Sequence, residues 1–131
     1  MPTSAQGTGQ QAGQAALGSA LDAEGAVRHL GGDLQAYVEI CQVFLDEGVA
    51  WESQLPLLAA QDRAGFVAML HELTNALPIV GAGVLARSLR KMEFELRDKP
   101  GVAAEPALHA ALQGLVVVTE ALRTEIAVRG C

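Results

Sequence analysis

The chain has little cysteine, few aromatics and a shortage of basic residues, and each shortage removes a class of protein. Its two cysteines are Cys41, on the apolar side of a helical run, and Cys131, the last residue. So placed, they read as a buried thiol and a tail thiol, with neither a disulfide framework nor a metal-ligand cluster. Aromatics make up 4% of the residues against an apolar fraction of 50%. The core must therefore be Leu, Val and Ala, which favours helices packed at close range over a β-sandwich. Nine Lys and Arg face fifteen Asp and Glu, for a formal net charge of −6. A nucleic-acid binder needs the opposite balance, gathered in a patch, so nucleic acid is not expected as a partner. No uninterrupted apolar run approaches the roughly 20 residues that cross a bilayer. Nor does a basic region followed by an apolar run open the chain. The expectation is a soluble, cytoplasmic protein with no membrane partner.

What is present fits one domain, because 131 residues can bury a real core. Residues 1–19 are rich in Gly, Gln and Ser and read as a flexible tail, leaving 20–131 as the folded unit. A short helix is predicted from about Ala23 to Leu30, with Asp22 as its cap and Gly31-Gly32 as its stop. Asp33 caps a long helical stretch to about Ala60, in which Pro56 should force a bend or a restart. Asp62 caps a third helix that ends near Pro78, Gly81 and Gly83. The next spans about Ala82 to Arg97, with Val84, Leu85, Leu89, Met92 and Leu96 inward. The last starts near Pro106, a favoured first-turn position, and continues through Leu108, Leu112, Leu115, Val116, Thr119, Leu122 and Ile126. The fold expected is all-α: an antiparallel four-helix bundle with a short N-terminal capping helix.

One histidine stands apart. At about 100° per residue, Phe66, Leu70, Leu73 and Leu77 fall within roughly 60° and form a core stripe, while His71 points about 130° from its centre. Its outward neighbours are Ala64, Ala68 and Asn75, with Val67 at the flank. A solvated helix face normally carries Lys and Glu. This one is small and almost uncharged around a single imidazole, as suits a surface that another protein must approach closely.

The pattern from His71 onward resembles a histidine phosphotransfer (HPt) domain, the module that passes phosphoryl groups between receiver-domain aspartates. The resemblance covers about residues 21–98, beginning with Leu30-Gly31-Gly32-Asp33 at the start of the family's second helix, and the final helix completes the bundle. Where the family has His-x-x-Lys-Gly and a second Gly six positions after the first, this chain has His71-Glu72-Leu73-Thr74-Asn75 and Gly81. Glu93 stands 22 residues after His71, at a position where many members carry Glu or Gln. The resemblance implies His71 as the phosphate acceptor at Nε2, with Glu93 orienting the ring through its other nitrogen. It implies no cofactor of the domain's own, since Mg²⁺ comes with the receiver.

The partner implied is a receiver domain of a response regulator or hybrid kinase, or a histidine kinase itself, docking on Ala64, Val67, Ala68 and Asn75. The family Lys offers a cation to the phosphoryl oxygens; Thr74 in its place can donate only a hydroxyl hydrogen bond. Arg90, one turn before Glu93, and Arg97, one turn beyond it, could each partly replace that cation, and Arg97 is preferred. Asn75 adds bulk where the family has Gly. The alternative is a degenerate HPt-like domain that binds and regulates a receiver or kinase without carrying phosphate, or a plain helical interaction module. His29 and His109 read as ordinary surface residues, and Tyr37 and Trp51 as packing residues.

Overall fold

The computed structural model describes residues 21–129. Residues 1–19, expected as a tail, and Cys131 lie outside them. Every element among the described residues is helical: α1 Ala23–His29, α2 Leu34–Gln61, α3 Arg63–Ala76, a 3-10 turn Leu77–Val80, α4 Gly83–Asp98 and α5 Glu105–Arg129.

Three aspartates start three of these helices in the same way. Asp22, Asp33 and Asp62 each accept a hydrogen bond from the backbone N–H three residues on, at Gly25, Ala36 and Gly65, all at 3.0 Å. Each such cap satisfies a donor that the first helical turn leaves free. Pro56 neither stops α2 nor restarts it, since the helix runs unbroken through all 28 residues. Proline removes the bond to the carbonyl four residues back, that of Glu52. Glu52 is exposed, so water can serve that carbonyl.

The helices pack as a closed ring of neighbours: α2 against α3, α3 against α4, α4 against α5 and α5 against α2. Tyr37, Leu55, Phe66, Leu70, Leu73, Leu77, Leu89, Leu115 and Leu122 are almost wholly enclosed at its centre. Val84, expected inside, is outside with 44% exposed, and Val116 is 49% exposed. On α4 the buried residues are Ala86, Leu89, Glu93 and Leu96, and Val84 lies about 140° around the helix from Leu89. Val116 likewise lies about 100° from Leu115, on the outward side of α5.

Gly81 joins the end of the His71 segment to α1. Its φ is 99°, a left-handed conformation that glycine tolerates and other residues resist. Its carbonyl accepts from the Asp22 N–H at 2.7 Å, and a Cβ there would stand 2.6 Å from the Asp22 carbonyl oxygen. At the other end of α3, the Arg63 guanidinium donates to the carbonyls of Leu96, Lys99 and Val102. That clamp ties the start of α3 to the end of α4. His71 meets Glu93, and Thr74 meets Arg90, farther along, so the two helices run in opposite directions. No helix among the described residues is long and apolar enough to cross a membrane.

Candidate functional site

The register of α3 against α4 sets His71 opposite Glu93. The imidazole is 47% exposed, and its Nδ1 lies 2.9 Å from Oε2 of Glu93, which is 0% exposed. A carboxylate can only accept, so Nδ1 is the donor. In the neutral ring that leaves the free lone pair on Nε2. The same Oε2 receives Arg97 Nη2 at 2.8 Å, one turn along α4. The other oxygen, Oε1, is buried and has no hydrogen-bond partner. His71, Glu93 and Arg97 thus form one connected group, with the carboxylate inside and two half-exposed heads above it.

Thr74 behaves differently from the expectation placed on it. It is 0% exposed, and its hydroxyl donates to the His71 carbonyl at 2.8 Å. The hydroxyl faces inward along its own helix and is not available to a phosphoryl group at the surface. The Thr74 carbonyl in turn accepts from Arg90 Nη2 at 3.3 Å, a second contact between α3 and α4.

Of the outer-face residues, Ala64, Ala68 and Asn75 are exposed with His71. Val67 is not: at 8% exposure it belongs to the core. Because α3 is packed by α2 on one side and α4 on the other, its buried arc is wider than the single stripe through Phe66, Leu70, Leu73 and Leu77. Val67 and Thr74 both fall in that extra arc. Glu72, not singled out from the sequence, is exposed beside His71 and accepts from Trp51 Nε1 at 3.3 Å. The indole body packs inward while its N–H reaches the face that carries the histidine.

His29 and His109 are exposed. Among the described residues, no group of three or more His, Cys, Asp or Glu is placed to hold a metal ion. The site thus joins an oriented imidazole, a buried acceptor and a guanidinium, with Ala64, Ala68, Glu72 and Asn75 exposed on the same helix. No protein-family model, curated protein or solved structure matches the chain.

Proposed function

We propose that this chain is a histidine phosphotransfer protein that relays a phosphoryl group between receiver-domain aspartates through His71. In this reading the ring of α2, α3, α4 and α5 is an antiparallel four-helix bundle, and α1 caps it through Asp22 and Gly81. The observation that carries the reading is the half-exposed imidazole held through Nδ1 by a buried carboxylate at 2.9 Å. A carboxylate behind a histidine fixes the tautomer and steadies positive charge as it forms on the ring, as in catalytic triads.

The chemistry follows from that geometry. The Nε2 lone pair attacks phosphorus of an aspartyl phosphate, the Nε2–P bond forms, and the P–O bond to the receiver's aspartate breaks. The receiver's carboxylate leaves with the bonding pair. The hydrogen on Nδ1 stays where Glu93 holds it, so no proton moves. Passing the group to a second receiver runs the step backwards, and the pair returns to Nε2. Positioning and charge neutralisation do most of the work in such transfers. The receiver brings its aspartate and Mg²⁺, and this domain brings an oriented nucleophile. Arg97, bonded to Glu93 with nearly half its side chain exposed, is the cation this reading assigns to the phosphoryl oxygens. Ala64, Ala68 and Asn75 around His71 leave room for the receiver to dock.

The test is phosphate acceptance from charged receiver domains, with acid-labile, base-stable label as the mark of phosphohistidine. Wild type should take label, and His71→Gln should take none while keeping its helical circular dichroism. Unchanged labelling of His71→Gln removes His71 as the acceptor. One observation favours the second reading, a regulatory domain that binds a receiver or kinase without carrying phosphate. The Thr74 hydroxyl that stands in the family's lysine position is buried and already bonded. No label on wild type, with partner binding that persists fully in His71→Ala, would select that reading.

A further inference from the structure

Arg97 touches the imidazole only through Glu93, and that indirect contact has a chemical consequence. Glu93 sits on the core face of α4 between Leu89 and Leu96, with no exposed surface. A buried carboxylate without an opposite charge takes up a proton rather than remain ionised. Its Oε1 has no partner, so all its polar contact runs through Oε2. Of the two groups on Oε2, a neutral imidazole brings a hydrogen bond and no charge. Arg97, at 2.8 Å, brings a permanent one.

The state without that charge would be chemically different. The proton would go to Glu93, which would then donate to Nδ1 and leave the ring hydrogen on Nε2, or to the ring, which would then carry hydrogen on both nitrogens. Either way Nε2 would have no lone pair to attack with. We propose that Arg97 is a positioning residue for the phosphoryl-accepting nitrogen: its ion pair keeps Glu93 an acceptor, which holds His71 as the Nδ1–H tautomer with Nε2 free. The inference rests on reading His71 as the nucleophile. It assigns to Arg97 a task in the resting protein, before any phosphate arrives, that is separate from meeting phosphoryl oxygens.

The two nitrogens of a histidine ring can be told apart in uniformly ¹⁵N-labelled protein by long-range ¹H–¹⁵N correlation, with His71→Gln identifying the signals. Wild type should show one tautomer, hydrogen on Nδ1. Arg97→Gln, which removes the charge and keeps a polar side chain of lesser reach, should put hydrogen on Nε2 of His71, as the Nε2–H tautomer, the doubly protonated ring or a mixture of them. Its rate of label uptake from a charged receiver should fall at least tenfold. Arg97→Lys, which keeps the charge, should hold the wild-type tautomer. A wild-type ring in Arg97→Gln, or a changed ring in Arg97→Lys, overturns the proposal. Should Arg97→Gln lose its helix content, the Arg97→Lys ring decides alone. The tautomer is read without phosphate, so the two ideas fail separately. An Arg97-dependent Nδ1–H ring on a protein that never takes label would sink phosphotransfer and leave the positioning intact.

Discussion

Tyr37 and Cys41, one turn apart on α2, and Glu93 on α4 are all exposed by 1% or less, yet their surroundings differ in kind. Around Tyr37 and Cys41 burial acts first: it pushes both the phenol and the thiol up from their ordinary values and keeps them uncharged. The phenol hydrogen goes to the Val80 carbonyl at 2.9 Å. Glu93 is buried as deeply, but its Oε2 is bonded to two side chains that are each 47% exposed. The first region encloses neutral polar groups and holds elements together. The second connects a buried acceptor to the surface. Burial alone does not separate structure from function here; what separates them is whether the buried group has partners that reach solvent.

The sharpest way to break this contrast is to remove the charge above Glu93. Taking one partner from a buried ion pair costs about 3–5 kcal/mol, because the remaining group must stay charged without compensation or take up a proton. His71 stays hydrogen-bonded to Glu93 and Arg97 is half exposed, so Arg97→Gln should cost about 3 kcal/mol, the lower end of that range. Urea denaturation followed by circular dichroism measures it. Arg97→Lys should remain within about 1 kcal/mol of wild type, since the charge survives and only the fork geometry is lost. Equal stability of Arg97→Gln and wild type would mean that Glu93 is not held by charge.

Gly81→Ala comes next in size. A left-handed φ costs a residue with a side chain about 1–3 kcal/mol, and here the new Cβ also meets the Asp22 carbonyl at 2.6 Å. Gly31→Ala supplies the control. Its φ is 71°, with nothing near the added carbon, so strain alone should cost about 1–2 kcal/mol. A larger loss at Gly81 than at Gly31 would identify the contact with α1 as the extra term. Tyr37→Phe should cost about 1–2 kcal/mol through the Val80 carbonyl left unpaired. It should leave label uptake at His71 unchanged, because Tyr37 belongs to the other region.

Much of the fold could be read from local chemistry. Asp22, Asp33 and Asp62 cap helices because a short carboxylate before an apolar-periodic run has one favourable use. His71 could be picked out because an imidazole off the apolar stripe breaks the pattern around it, and Glu93 through the resemblance, by its place 22 residues farther on. Val67 and Thr74 were less legible. Which flank of an amphipathic helix is covered depends on the helices packed beside it, and a single-helix angle carries no such information. The Arg63 clamp on Leu96, Lys99 and Val102 was invisible for the same reason. Backbone carbonyls have no signature in a sequence, and three of them converge only once α4 has ended. The reach of Trp51 to Glu72 likewise depends on how α2 crosses α3.

The smallest expected effect lies in the quiet region, and its sign is fixed by the direction of the shifts. Burial raises the folded-state values of the Cys41 thiol and the Tyr37 phenol above those of the unfolded chain. Above the unfolded values, about 8.5 for a thiol and about 10 for a phenol, the unfolded chain releases protons that the folded one retains. Ionisation then favours unfolding, so the stabilising contribution is complete below about pH 8 and declines as pH rises past those values. Urea midpoints measured from pH 7 to pH 10.5 should fall, and Tyr37→Phe should flatten the upper part of the decline. In a Cys131→Ser background, Cys41 is the only thiol left to react with a thiol reagent. It should stay unreacted at pH 8 in the folded protein and react fully in urea, because the thiolate is the attacking form and the folded core suppresses it. Rapid reaction in the folded state would mean that α2 opens around Tyr37 and Cys41. The contrast with the surface-linked Glu93 would then lie in mobility rather than in partners.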